Sequence, residues 1–190
     1  MSEMLSLKNA AVVVTGSTGF IGSHLIDYLV GYGCTIHALV RKTSDQRWLN
    51  KSDQVKIHVV DLEQSSSISC LEKADYLFHC AGLTKAKTRD DYFCGNVYSC
   101  EVLYERCVAI GGNLKAIVHL SSLAAAGPSA QGEAVQEKNP CKPVTYYGES
   151  KLAGEKIALK YSSLLPIVII RPPVVYGPRE ENFFVYLKTL

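Results

Sequence analysis

The stretch TGSTGFIG, Thr15 to Gly22, follows the apolar run Ala10 to Val14 and precedes a segment in which Leu25, Ile26, Leu29 and Val30 recur at helical spacing. Three glycines, Gly16, Gly19 and Gly22, therefore stand where a strand gives way to a helix. Gly16 can turn the chain sharply as it leaves the strand, Gly19 lets backbone approach a pyrophosphate, and Gly22 lets the helix pack closely on the sheet. The helix N-terminus that follows presents free N–H groups and a partial positive charge to phosphate oxygens. The spacing is GxxGxxG rather than GxGxxG, and the competing reading is glycines that merely serve a strand-to-helix turn.

Outward from this bend, short β-branched runs alternate with stretches of helical period. Strands are expected at 10–16, 34–40, 55–62, 74–82, 115–123 and 166–172, and helices at about 20–31, 90–110 and 145–163. A polar segment occupies 44–50, a Ser-rich helical turn follows Leu62, and a Gly/Pro/Gln-rich loop runs to Pro143. Six strands alternating with helices predict an α/β fold, a doubly wound parallel sheet covered on both faces, with right-handed crossovers. No internal repeat or linker interrupts it, so residues 1–178 are expected to form one dinucleotide-binding domain. Residues 179–190 read as the start of a substrate-binding region, an opening helix that stops at Leu190, and the chain is expected to be a fragment.

Composition bounds the rest. The chain has 190 residues, 47% hydrophobic and 20% charged, with a net charge of +2 from interspersed rather than clustered cations. That balance gives no ground for a nucleic-acid or anionic-membrane partner. No apolar run approaches the ~18–20 residues of a membrane span, and the start lacks the features of a signal peptide, so a cytoplasmic address is expected. The seven cysteines form no CxxC pair and read as free thiols. Cys94, Cys100 and Cys107 are too widely spaced for a zinc motif, so no metal is expected.

About twenty residues beyond the glycines, where an acid would bind the adenosine ribose of NAD, the chain carries Val40, Arg41 and Lys42. Arg41 and Lys42 suit a 2′-phosphate and favour NADP(H). The competing readings are a solvated cation pair at a strand end, and Asp45 taking the ribose role. Farther along, Tyr147 and Lys151 in YYGESK are four apart and share a helix face. An ammonium beside a phenol lowers its pKa from about 10 toward neutrality, making Tyr147 a general acid/base. Tyr146 has only Ser150 at the same offset. Ser121 and Ser122 end the strand AIVHLSS at the carboxyl edge, where open α/β sheets bind ligands, and Ser122 is positioned to hydrogen-bond a substrate carbonyl or alcohol.

Together TGSTGFIG, VVDL, HCAG, GNVYSCEVL, HLSS, YYGESK and RPPVVYGP, spanning Val12 to Pro178, resemble an extended short-chain dehydrogenase/reductase of the NAD-dependent epimerase/dehydratase family, a Rossmann fold. The resemblance implies that Gly16, Thr18, Gly19, Phe20 and Ile21 line the pyrophosphate turn, that Asp61 and Leu62 hold the adenine, and that Cys80, Ala81 and Gly82 pass beside the ribose. It places Asn96 near the proton-transfer network, gives Lys151 a bond to the nicotinamide ribose and sets Pro172 and Pro173 beside the nicotinamide. It also implies a small-molecule substrate and a homodimer formed through the helices at 90–110 and 145–163. His79 and His119 read as satisfied core histidines without metal-ligating companions.

Two departures from the family pattern shape the expected reaction. LAAAG, Leu123 to Gly127, lacks the acid pair of the sugar dehydratases, and Ala126–Gly127 replaces the Tyr-Gly common in sugar epimerases. The small apolar lining and VRKTSD are closer to the dihydroflavonol reductase and 3β-hydroxysteroid dehydrogenase branch. The expected activity is hydride transfer between nicotinamide and a secondary alcohol or ketone, catalysed by Ser122, Tyr147 and Lys151. The alternatives are sugar epimerisation through a transient keto intermediate and a non-catalytic dinucleotide sensor or scaffold.

Overall fold

The valines after Ala11 explain the architecture. Val12, Val13 and Val14 are fully buried on both faces because β1 (Ala11–Thr15) lies inside the sheet, between β2 (Thr35–Val40) and β4 (Tyr76–His79). The structure, a computed structural model, describes residues 7–62, 68–111, 114–129 and 133–181. Its six strands are all parallel, in the order β3 (Val55–Val59), β2, β1, β4, β5 (Ala116–Leu120) and β6 (Ile167–Ile170). Val13 pairs in register with His37 on one side and Leu77 on the other. The chain steps outward from β1 to β3, then returns to begin again at β4. Strand order thus reverses between β1 and β4, where a doubly wound sheet opens a crevice at its carboxyl edge.

The period of two along β1 sorts its side chains into two layers. Val13 packs with Leu39, Leu77, Ile117, Leu103 and Tyr104, while Val12 and Val14 pack with Ile26, Leu29, Ile36 and Ala38. The second layer is covered by α1 (Phe20–Gly31), and the first by α3 (Ser99–Ile110) and α4 (Tyr146–Tyr161). On the outer strand β6 this coverage fades, and Val168 and Ile170 are exposed.

The expected helix at 90–110 is two helices joined by a wide turn. α2 (Arg89–Phe93) starts at a capping box in which Thr88 Oγ1 accepts from Asp91 N at 3.1 Å and Asp91 Oδ2 accepts from Thr88 N at 3.0 Å. It then passes through a π turn at Cys94–Tyr98 into α3. Carbonyls near that turn are taken by side chains, Ser99 Oγ donating to Gly95 O at 2.6 Å and Cys100 Sγ to Asn96 O at 3.0 Å. α4 starts at Thr145, whose hydroxyl accepts from Gly148 N at 3.0 Å, a cap worth about 1 kcal/mol.

The strands are shorter than their apolar runs because the carboxyl ends leave the ladder. Asp61–Leu62, Cys80–Gly82, Ser121–Ser122 and Arg171–Pro173 all lie beyond the last paired residues and form the rim of the crevice. Between β3 and β4 a 3-10 turn runs over Ser69–Lys73. The Ser-rich turn expected at 63–67 and most of the helix expected to open the segment 179–190 lie outside the described residues. Among the described residues, no helix is long and apolar enough to cross a membrane.

Candidate functional site

Two cavities open along the carboxyl rim and meet at the glycine bend. The larger, of about 960 Å³, is lined by Gly16, Gly19, Phe20, Ile21 and Gly22 at one end and by Ser122, Tyr147, Lys151, Pro172 and Pro173 at the other. The smaller, of about 210 Å³, is lined by Thr18, Val40, Arg41, Ser44, Asp61, Leu62 and Ala81. Gly16, Gly19, Cys80 and Gly82 belong to both walls. The shape is one groove with a narrow end at Val40 and Asp61 and a wide end at Ser122 and Tyr147.

The bend is shaped by steric exclusion. Gly16 sits at φ +67°, and a Cβ there would stand 2.6 Å from the Cys80 carbonyl carbon. On Gly22 a Cβ would stand 2.2 Å from the Gly16 carbonyl oxygen, so α1 approaches the bend only because that atom is absent. No side chain caps α1, whose N-cap is Gly19, and the amides of its first turn are left for a ligand. The bend is tied to the next strand by Thr15, whose hydroxyl accepts from Ala81 N at 3.0 Å and lies 2.8 Å from His79 Nδ1.

At the reactive end, α4 presents Tyr147 and Lys151 to the rim, and β5 ends at Ser122. The Tyr147 phenol lines the same wall as the Ser122 hydroxyl, which accepts from Ala124 N at 3.2 Å. The Lys151 ammonium is buried and donates to Leu120 O at 2.7 Å. Burial lowers its pKa below the ordinary lysine value. The expected lowering of the Tyr147 pKa is overturned: burial raises it, Ser122 brings it part of the way back, and Tyr92 raises it further. The ammonium at Leu120 does not set the phenol's acidity, so Tyr147 holds its proton at neutral pH.

Three supporting arrangements rest on partners that the sequence does not pair. The Glu155 carboxylate, buried one turn beyond Lys151, accepts from Arg171 Nε at 2.8 Å, from Arg171 Nη2 at 2.6 Å and from the Ser121 hydroxyl. Burial pushes the Glu155 pKa up, but Arg171 and Ser121 outweigh it and hold the carboxyl below its ordinary value. This cluster locks the ends of β5 and β6 to α4. Asn96, buried at the π turn, accepts from Leu83 N at 2.6 Å and donates to Leu83 O at 3.0 Å and Ser150 Oγ at 2.9 Å. It lines neither cavity and stands directly behind Gly82. Past Gly177, His24 Nε2 lies 2.9 Å from Pro178 O and Arg179 Nη2 donates to Asp27 at 2.7 Å, folding the segment over α1 as a groove wall. Arg179 lines the wide cavity, and its Nη1 is buried without a partner.

Lys42 is exposed and off both walls, which leaves Arg41 and Ser44 at the strand end where a cation pair was expected. Asp45 is also off the walls and pairs with Arg47 at 3.4 Å. The histidine expectation needs a similar correction. His79 Nε2 lies 3.1 Å from Cys100 Sγ, and His119 completes a fully buried His, Cys, His group. His79 is satisfied, whereas His119 bonds Tyr104 through Nδ1 at 2.6 Å and leaves Nε2 buried without a partner. Burial drives the His79 pKa well below the ordinary value and the His119 pKa to about 4, so both rings are neutral.

Comparison with known proteins places this groove in context. The sequence pattern of the NAD dependent epimerase/dehydratase family matches residues 12–186. A ceramide reductase of Caulobacter vibrioides is 32% identical over 182 residues, 94% of this chain and 50% of that protein. Sterol demethylase protein B of Methylococcus capsulatus is 29% identical over 172 residues, 87% of this chain and 52% of that protein. The crystal structure of a UDP-glucuronic acid 4-epimerase from Bacillus cereus in complex with NAD superposes with a TM-score of 0.79 at 28% identity, over 90% of this chain and 59% of the other. The chain spans about half the length of the curated relatives it matches.

Proposed function

The chain belongs to the NAD-dependent epimerase/dehydratase family, and from that premise we propose that it binds NAD(P) along the groove and serves hydride transfer between nicotinamide and a secondary alcohol or ketone of a small molecule. The observation that carries the proposal is that one groove joins the uncapped α1 N-terminus to the Ser122, Tyr147 and Lys151 side chains. When bound, the cofactor supplies or accepts a hydride at C4 of its nicotinamide.

The residues of the chain do the rest. The amides of the bend hold the diphosphate, and Pro172 and Pro173 bound the space for the pyridine ring. Ser122 orients the substrate oxygen, and Tyr147 gives that oxygen its proton in the reducing direction and takes it back in the oxidising one. With its pKa raised by burial, the phenol carries its proton at neutral pH. Lys151 holds a positive charge behind the reacting oxygen, fixed in place by Leu120 O. Leu123, Ala124, Pro128, Val144 and Val174 line the substrate end and suit an apolar ketone. Arg41 at the adenosine end supports a preference for NADP(H).

Epimerisation of a nucleotide sugar remains the second reading, favoured by one observation. Arg179 brings a guanidinium to the wall of the wide cavity, a charge that an anionic substrate would meet there. A homodimer joined through α3 and α4 is consistent with the exposed Tyr98, Val108 and Leu159. The deciding experiment is titration of the chain with reduced NADP and NAD, followed by nicotinamide fluorescence. Saturable one-to-one binding that survives Tyr147→Phe supports the assignment, and absence of binding to either form overturns it. The 190 residues are expected to hold dinucleotide yet turn over slowly without the further length the relatives carry, and full activity of this chain alone would refute that expectation.

A further inference from the structure

Two histidines and a cysteine from three separate elements meet on the layer that contains Leu39 and Val60. His37 on β2 and His58 on β3 project from the same face of the outer sheet, and Cys70 comes up to them from the 3-10 turn at Ser69–Lys73. His37 Nδ1 and His58 Nε2 are 2.9 Å apart, and one nitrogen of each ring and the Cys70 sulfur all lie within 4.8 Å of one another. None of the three lines the groove. We propose that His37, His58 and Cys70 form a binding site for a divalent ion of the zinc class.

The donor set and spacing suit that ion. Zinc takes imidazole nitrogen at about 2.0–2.1 Å and thiolate sulfur at about 2.3 Å, so tetrahedral donors stand about 3.3–3.6 Å apart. The two imidazole nitrogens stand slightly closer than that, and the 4.8 Å limit on all three donors puts the sulfur within a shift of about 1 Å of a closed site. Burial and the neighbouring His58 and Lys56 hold the His37 pKa below the ordinary value, so its ring is neutral and ready to ligate. Burial pushes the Cys70 thiol up to about 11. Ligation therefore releases its proton to solvent as the metal–sulfur bond forms, with no change of oxidation state. Both histidines are only half-buried, which leaves an entry path from solvent. The other His, His, Cys group, His79 with Cys100 and His119, offers the same donors but is sealed beneath the groove with the Lys151 ammonium beside it, an unfavourable setting for a cation.

Cobalt(II) titration of the metal-stripped, reduced chain tests the site. The expected result is one ion per chain, with a thiolate-to-cobalt charge-transfer band that zinc abolishes and that is absent in Cys70→Ala. His58→Gln, a change at a half-buried edge-strand position, is expected to weaken cobalt at least about tenfold while leaving the circular dichroism spectrum unchanged. Zinc is expected to raise the melting temperature of the natural chain and not that of His58→Gln. A charge-transfer band that persists in Cys70→Ala, or equal cobalt affinity in a folded His58→Gln, overturns the proposal.

Discussion

The two ends of the groove are built from different materials. The amino-terminal end is made of backbone: a positive-φ turn at Gly16, an uncapped helix and a missing Cβ at Gly22. The reactive end is made of side chains on three elements, Ser122 after β5, Tyr147 and Lys151 on α4, and the Arg171–Glu155–Ser121 cluster behind them. The first end is defined by steric exclusion, so it cannot be altered without altering the fold. In the second, the Tyr147 hydroxyl proposed to move a proton is separable from the groups that hold it.

Four substitutions test that contrast. The largest effect belongs to Gly22→Ala, whose new methyl meets the Gly16 carbonyl at 2.2 Å. A loss above about 4 kcal/mol in urea unfolding is expected, together with dinucleotide binding. Near-neutral stability would break the contrast at its root. Next is Tyr147→Phe, expected to cut turnover by about 10²–10⁴-fold while dinucleotide affinity holds. A parallel fall in both would mean that chemistry and binding are not separable there.

Glu155→Gln leaves Arg171 without its charge partner and is expected to cost about 2 kcal/mol, discounted because Arg171 is partly exposed. The pH dependence sharpens this test. Since the Glu155 pKa is held below its unfolded value, its contribution is complete above about pH 4.3 and is lost as the pH falls through the lowered folded value. The glutamine variant should therefore lose part of the acid-side fall in stability, and identical acid limbs would remove the cluster from the account. The smallest effect is expected from Arg41→Ala, about a tenfold loss of preference for NADP(H) over NAD(H) in paired titrations, with α1 and its bend undisturbed. An unchanged ratio would shift the phosphate assignment away from Arg41.

The same contrast explains what the sequence made legible. A backbone that must turn with positive φ or pass close to another backbone requires glycine, and the requirement shows as a spacing in one short stretch. Tyr147 and Lys151 were legible because a helix converts an interval of four into a shared face. Ser122 was legible as the end of an apolar run. The Glu155–Arg171 pair, the clasp of Asn96 on Leu83 and the seat of Lys151 on Leu120 were not, because their partners lie 13 to 31 residues apart with no fixed interval. For the same reason the sequence favoured an acidic phenol at Tyr147: it supplied the helical interval to Lys151 but not the burial, nor the carbonyl that occupies the ammonium. Lys42 was grouped with Arg41 by adjacency, yet neighbours along a strand end face different ways.

The widened coil at Cys94–Tyr98 carries one residue more than a regular α-helix would need to cover the same path. Excising Val97 would let the segment relax into an uninterrupted helix, a local gain. A regular helix would cover the same path, so α2 and α3 would keep their phase and the change would fall on the turn itself, shifting the Asn96 carboxamide off Leu83 and unfastening the strip of chain that follows Gly82 along the groove. The surplus residue thus keeps a polar clasp on the chain that borders the groove, at the expense of helical regularity.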